Sequence, residues 1–147
     1  QQQQQQQQQR GKQLIRVDLG RGREGILSLP DSLLVDPALD ARLRSLLGSD
    51  KVWPLGEQDK QLSALHIALA GFHFEPNHEY HDRVVCRSCD LSVGSWEASD
   101  DPMEAHINFV KDARPPTHCA YVSQHSGLYK ALCNGEITFT HLRRPDA

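Results

Sequence analysis

The sequence predicts an α+β fold in which helices surround a small antiparallel sheet. Two amphipathic, leucine-rich segments precede a group of short alternating segments, and a third helical pattern follows that group. Of the 147 residues only 38% are apolar and 6% are aromatic, which gives a lean core for a single modest domain. We therefore expect a staple such as a bound metal ion to contribute to its stability.

The three helices are predicted from their caps and their apolar spacing. The first lies within residues 36–48 and opens with an Asp-Pro pair that suits the N-cap and the first helical position. The second covers residues 60–70, with leucines on one face and a glycine directly after it. The third starts at residue 101, where Asp-Pro is followed by a glutamate that completes the capping arrangement.

Three short segments between the second and third helices are predicted to be strands. Residues 72–74, 83–86 and 91–96 alternate in part and are enriched in aromatic and β-branched side chains. A Pro-Asn pair separates the first two segments, and a Cys-x2-Cys stretch separates the second from the third. This punctuation indicates a small antiparallel sheet.

Both ends of the chain are predicted to lie outside the domain. Residues 1–9 are an unbroken glutamine run and residues 11–25 are rich in Gly and Arg, so we expect residues 1–35 to be disordered. The domain is predicted over residues 36–125, and residues 126–147 form a C-terminal extension with one candidate strand at 136–140. The only methionine, Met103, is internal, which indicates a fragment of a longer protein.

Four residues have the spacing of a zinc site. Cys86 and Cys89 form a Cys-x2-Cys pair, His106 follows after 16 intervening residues, and Cys119 follows after a further 12. Two thiolates converge from one tight turn, and a helical histidine with a third thiolate can complete a tetrahedron around Zn²⁺. Four protein ligands leave no position for water, so the sequence predicts a structural site and no enzymatic activity.

These cysteines and histidines also allow other roles. Disulfide pairing is disfavoured because a bridge between Cys86 and Cys89 would enclose too short a loop to constrain the chain. His118 adjoins Cys119 and is an alternative fourth ligand, whereas Cys133 is predicted to be a free thiol. Reduced zinc thiolates indicate the cytosol or the nucleus. The group formed by His73, His78 and His81 is expected to be a solvated turn, since it lacks ligand-like spacing.

Charge and hydropathy exclude further classes of function. The 19 acidic and 16 basic side chains give a formal net charge of −3, which disfavours nucleic-acid binding. No apolar run approaches the length of about 18 residues that crosses a bilayer, so no membrane association is expected.

The residues around the cysteine pair resemble a known module. Over residues 42–122 the chain is similar to the baculoviral IAP repeat (BIR), the zinc module of inhibitor-of-apoptosis proteins and of survivin. The markers are Arg42-Leu43-Arg44-Ser45, Trp53-Pro54, Leu69-Ala70-Gly71-Phe72, Asp82-Arg83-Val84-Val85-Cys86-Arg87-Ser88-Cys89, Trp96-Glu97 and Asp100-Asp101-Pro102-Met103-Glu104-Ala105-His106. The interval between His106 and Cys119 is longer here than is usual in the family.

The resemblance implies a zinc-stabilised BIR fold with a three-stranded sheet, and a groove that binds a free protein N-terminus. A peptide with a small first residue would add to the edge of the third strand, and Asp100 would accept its α-ammonium. Trp96 and Phe109 would wall the pocket for the first side chain. The implied peptide-binding residues are Val93, Gly94, Ser95, Trp96, Asp100 and Phe109.

The residue types alone leave alternatives to this groove. Trp96 and Phe109 also suit a core, and Asp100 also suits a loop beside a helix cap. Within the family, the implied partners are caspase-like proteases, antagonists of inhibitor-of-apoptosis proteins, or a histone tail in cell division. The alternative function is a degenerate BIR scaffold that does not bind N-terminal peptides.

Overall fold

The computed structural model describes residues 11–48, 53–56, 59–115 and 117–142, and the glutamine run lies outside these ranges. Over this part of the chain, four α-helices and a 3-10 helix pack with two antiparallel sheets of three strands each. The helices are α1 (Leu39–Leu47), α2 (Ala64–Leu69), α3 (Pro102–Asp112) and α4 (Ala120–Cys133), with the 3-10 helix at Lys60–Leu62. The strands are β1 (Lys12–Gly20), β2 (Arg23–Pro30), β3 (His73–Phe74), β4 (Val84–Val85), β5 (Ser92–Val93) and β6 (Thr138–Leu142).

The first sheet has the strand order β1-β2-β6 and joins the two ends of the chain. β1 and β2 form a hairpin whose turn contains Gly20 and Gly22, both at positive φ. Alternate residues along these strands point to one face, where Val17, Leu19, Leu27 and Leu29 are fully buried. β1 packs its apolar face against α1.

This sheet corrects the prediction of disorder for residues 11–35. The glycines and arginines suggested an unfolded tail, but they flank two segments that alternate apolar and polar residues, which is the pattern of a half-buried strand. The Gly-Arg-Gly stretch is the turn between the strands. The partner strand β6 is more than a hundred residues away in sequence, so the local composition did not reveal it.

One close aromatic contact supplements the antiparallel ladder between β6 and β2. Its register pairs Phe139 with Leu27 and His141 with Gly25. A Cβ atom at Gly25 would lie only 2.1 Å from Cζ of Phe139, so the ring occupies the space that a side chain would need. Gly25 is therefore a packing requirement of the sheet.

The second sheet has the order β3-β4-β5, as predicted, but its strands are only two residues long. His73 and Phe74 pair with Val85 and Val84, which in turn pair with Ser92 and Val93. Side chains supplement the short ladder. The guanidinium of Arg83 donates to the Ser92 hydroxyl at 2.9 Å and to the Glu75 carbonyl at 2.8 Å.

The predicted helices are present, with two corrections at their starts. α1 begins at Leu39 without a side-chain cap, because the Asp36 carboxylate instead accepts hydrogen bonds from Arg42. The predicted helix at residues 60–70 is divided at Ser63, whose extended backbone ends the 3-10 helix and whose hydroxyl caps α2. α3 begins as predicted, with the Asp101 carboxylate accepting from the Glu104 amide at 3.0 Å.

A buried arginine ties four parts of the chain together. Arg42 is 2% exposed, and its guanidinium donates to an Asp36 carboxylate oxygen at 2.8 Å and to the Ala68 carbonyl at 2.7 Å. It also lies 4.6 Å from the centre of the Tyr121 ring. Burial alone would raise the pKa of Asp36, but the hydrogen bond and charge of Arg42 outweigh it and leave that pKa below its usual value.

α4 was not predicted. It packs against α2 and α3 and runs through residue 125, so the predicted end of the domain falls inside a helix. The candidate strand at 136–140 is observed as β6, two residues further along. Among the described residues, no helix has the length and apolarity needed to cross a membrane.

Candidate functional site

The Cys-x2-Cys pair occupies a tight turn after β4. The Cys86 amide donates to the Leu91 carbonyl at 2.8 Å, and the Asp90 amide returns a bond to the Cys86 carbonyl at 2.7 Å. Asp90 has a positive φ of 64°, a conformation that aspartate tolerates better than most residues. This closed turn aims Cys86 and Cys89 toward the same point.

α3 supplies the histidine with a fixed orientation. The Nδ1 atom of His106 lies 2.7 Å from the Ala70 carbonyl oxygen, which can only accept, so Nδ1 is the donor and Nε2 carries the lone pair. The imidazole stacks on Phe72 with ring centres 4.6 Å apart and is fully buried. Cys119 stands at the N-cap of α4, and its buried thiol reaches the same cluster.

The four predicted ligand atoms converge. All lie within 4.8 Å of one another. The sulfurs of Cys86 and Cys119 are 3.7 Å apart, and Nε2 of His106 is 3.4 Å from the sulfurs of both Cys89 and Cys119. A tetrahedral zinc site with ordinary bond lengths has S···S edges of about 3.8 Å and S···N edges of about 3.5 Å.

The alternative ligand is not brought to this cluster. Cys119 is buried within it, whereas the side chain of the adjacent His118 is exposed. Cys133 is exposed at the end of α4. In the described part of the chain, no second group of three or more potential ligands is present. His78 and His81 are exposed as expected, but His73 is buried on β3, contrary to the expected solvated turn.

The protonation chemistry of the cluster fits a cation. Burial raises the pKa of the Cys86 thiol, and it raises the pKa of Cys89 to about 12. Burial also lowers the pKa of His106, which keeps its imidazole neutral and ready to coordinate. A divalent ion among these sulfurs would favour the thiolates that burial otherwise disfavours, so the donor set can hold a metal.

The implied peptide groove centres on β5, which is one of the two edge strands of the second sheet. Val93 is half-buried beside Val84, and Ser95 has a positive φ of 56°. The Asp82 carboxylate accepts from the amides of Ser95 at 2.9 Å and of Trp96 at 2.8 Å. Asp82 therefore fixes the turn that follows β5. Sequence reasoning gave this residue no role, although it lay within a recognised motif.

The remaining groove residues differ in exposure. Trp96 is 8% exposed and packs edge-on against Phe72 with ring centres 6.1 Å apart, so much of it serves the core. Its indole nitrogen is buried and has no hydrogen-bond partner among the residues that the structure describes. One oxygen of Asp100 accepts from the Glu97 amide at 2.8 Å, while Phe109 on α3 is 37% exposed.

The helices around a short sheet and the Cys₃His cluster define a small protein module organised around a potential metal site. The profile of the Inhibitor of Apoptosis domain (BIR) family matches residues 42–123, more than half of the chain. The chain belongs to this family. BIR domains bind zinc and mediate protein–protein interactions.

A relative in fission yeast, Schizosaccharomyces pombe, supports the same assignment. The chain is 34% identical over 58 residues to a protein described as the chromosomal passenger complex protein bir1. The matched segment is 39% of this chain but 6% of the yeast protein. The likeness therefore concerns the module and not the rest of that protein.

Proposed function

We propose that Cys86, Cys89, His106 and Cys119 bind one Zn²⁺ ion. The spacing of the four donor atoms and the hydrogen bond that orients His106 support this set. The bound ion would supply structural cross-linking, since four protein ligands complete its coordination. The residues would hold the end of β4, α3 and the start of α4 together, which are the elements that flank β5.

We further propose that the module binds a free protein N-terminus along the open edge of β5. The main-chain bond from Cys86 to Leu91 sets the alternation of the antiparallel ladder, in which every second residue faces its partner strand. By this alternation the amide and carbonyl groups of Val93 face β4, and those of Ser92 and Gly94 face away from β4, toward the open edge of the sheet. These groups can pair with an added peptide strand.

The charge beyond β5 suits an α-ammonium group. Asp100 follows Trp96 by four residues, and Glu97 and Asp101 lie close to it in sequence. The bond from the Glu97 amide occupies one oxygen of Asp100, and a carboxylate has further acceptor positions for a charged donor. A peptide whose first residue lies at Asp100 and Trp96 runs antiparallel to β5, toward Ser92.

The cellular role proposed for this binding is that of an inhibitor-of-apoptosis or survivin-like protein. The yeast relative's description as a chromosomal passenger complex protein favours a nuclear role in cell division over the inhibition of caspase-like proteases. The reduced cysteine cluster of the present chain suits the nucleus or the cytosol equally.

A second candidate, a structural scaffold without peptide binding, has its own support. Trp96 is mostly buried, and Asp100 already bonds within its own turn. Both residues would have these contacts even if no partner bound beside them.

Titration of zinc-loaded protein with Ala-initiated peptides separates the two candidates. We expect the free peptides to bind and their acetylated copies to bind at least tenfold more weakly, because acetylation removes a charge-assisted hydrogen bond of about 1.5–3 kcal/mol. Asp100→Asn should weaken binding by a similar factor, while Asp112→Asn on the exposed end of α3 should not. Equal binding of free and acetylated peptides would favour the scaffold.

A further inference from the structure

The proposed peptide register places one side chain of the ligand beside Gly94. With the first residue at Asp100 and Trp96 and the peptide antiparallel to β5, the second residue pairs with the outward-facing groups of Gly94. Residues directly opposite in an antiparallel pair have their side chains on the same face of the sheet. The second side chain of the peptide therefore lies on the face toward which a side chain of Gly94 would point.

That position on the sheet face is occupied by Tyr80. A Cβ atom at Gly94 would lie 2.8 Å from both Cβ and Cγ of Tyr80 and 3.0 Å from Cδ1. The tyrosine thus fills the place of the missing side chain of Gly94. Because strand side chains stand roughly perpendicular to the sheet, Tyr80 covers the face and leaves the strand edge open.

The tyrosine is held in place and still has exposed ring surface. The Tyr80 amide donates to the Asn77 side chain at 2.8 Å, and the Asn77 amide donates to the Tyr80 carbonyl at 3.0 Å. Two residues further on, Asp82 bonds the turn after β5, so the loop is closed on itself at Asn77 and attached to the groove at Asp82. Tyr80 remains 41% exposed, which leaves ring surface for a ligand.

We propose that Tyr80 determines specificity for the second residue of the bound N-terminus. This inference rests on the proposed peptide-binding function. The partner class is a protein with a free N-terminus, a small first residue and a branched apolar second residue, whose methyl groups pack on the ring. A glycine at the second position of the peptide makes no such contact. An acidic residue at that position is disfavoured, because the carboxylates of Glu79 and Asp82 are close to Tyr80 in the sequence of this chain.

A panel of free peptides that differ only at the second residue tests the assignment. Peptides that begin Ala-Val, Ala-Gly and Ala-Asp are titrated against the zinc-loaded native chain and against Tyr80→Ala and Tyr80→Phe. Since an aromatic and β-branched cross-strand pair contributes about 0.2–1 kcal/mol, we expect the native chain to prefer Ala-Val over Ala-Gly by about 1.4- to fivefold. Tyr80→Phe should keep this preference and Tyr80→Ala should lose it.

The outcomes distinguish this inference from the proposed function. Free-amine-dependent binding with a valine preference that disappears only in Tyr80→Ala supports both. Free-amine-dependent binding with the same preference in the native chain and in Tyr80→Ala overturns the role of Tyr80 and leaves the groove intact. Indifference to N-terminal acetylation overturns both. Zinc content and the melting temperature of each variant verify that the exposed substitution has not unfolded the domain.

Discussion

The two sheets of this protein have the same number of strands but depend on apolar burial to different extents. In the sheet β1-β2-β6 the strands have nine, eight and five residues, whereas β3, β4 and β5 have two each. The long strands bury a continuous apolar face against α1. The short strands make few ladder bonds, and beside them lie the Cys₃His cluster and the side-chain bonds of Arg83 and Asp82.

The contrast shows how a lean sequence can support a precise binding edge. Apolar burial stabilises the first sheet in proportion to its buried surface. This stabilisation does not depend on any single hydrogen bond or metal ligand. The second sheet contains the proposed groove. Phe74 and Val84 anchor it in the same apolar core, and a small number of polar contacts and the proposed ion complete its geometry. We expect perturbations of the cluster to affect the groove first and perturbations of the long sheet to affect global stability.

Loss of the metal should have the largest effect. Structural zinc contributes about 10–16 kcal/mol in small zinc peptides, which is comparable to or larger than the whole stability of a typical domain. We expect Cys119→Ser to lose zinc and to lose amide protection around β4 and β5, while the β1–β2 ladder keeps part of its protection. Zinc analysis and hydrogen exchange measure these effects.

The matched control for this experiment is Cys133→Ser, which removes an exposed thiol outside the cluster. It should bind zinc as the native chain does. If Cys119→Ser also retained stoichiometric zinc, the assignment of the fourth ligand would be wrong. Simultaneous loss of protection in both sheets would show that they unfold as one unit.

Truncation in the long sheet should have an intermediate effect. Leu27 is fully buried, so Leu27→Ala should lower the free energy of unfolding by about 2–5 kcal/mol through lost burial and a residual cavity. Its zinc affinity should change little, because the four ligands lie beside the other sheet and outside β1, β2 and β6. Urea unfolding and a competitive zinc titration provide the two measurements.

Leu14 offers the control for this truncation. It lies on β1 but is 69% exposed, so Leu14→Ala should change the unfolding free energy by about 0.5 kcal/mol or less. A large loss of zinc affinity in Leu27→Ala would contradict the separation of the two sheets.

The smallest expected effect is a pH dependence that originates at His73 on β3. Burial, with smaller contributions from the charges of Arg87 and Arg42, lowers the pKa of His73 from 6.5 to about 4. The unfolded chain therefore binds an additional proton between these pH values. Stability from the neutral imidazole is fully present above pH 6.5 and is lost as the pH falls to about 4, by at most about 3 kcal/mol.

Substitution of the histidine isolates this contribution. With excess zinc, the unfolding free energy of His73→Gln should fall less steeply between pH 6.5 and 4.5 than that of the native chain. His78→Gln, which changes an exposed side chain of the following loop, should preserve the native slope. A native slope in His73→Gln would assign the pH dependence to other groups.

Local signals were sufficient where a short stretch of sequence contained the whole pattern. The Asp-Pro-x-Glu cap of α3 and the three segments of the second sheet were predicted because each has its own spacing. Three short segments of the chain contain the metal ligands, and the structure brings the four donor atoms together. The N-terminal hairpin was missed because its Gly and Arg content was given more weight than its alternation.

The sequence by itself therefore determined which residues can serve as ligands, caps and strand centres, since each of these roles depends on residue type and local spacing. Only the tertiary structure decided that β6 returns to β2, that Asp36 pairs with Arg42 instead of capping α1, and that Tyr80 lies over Gly94. β6 and β2 are distant along the chain, and Tyr80 and Gly94 lie on either side of β4. Asp36 and Arg42 are only six residues apart, but the guanidinium that binds Asp36 is also fixed by the distant Ala68 carbonyl. The formation of these contacts depends on the summed packing of the whole domain, which no local pattern encodes.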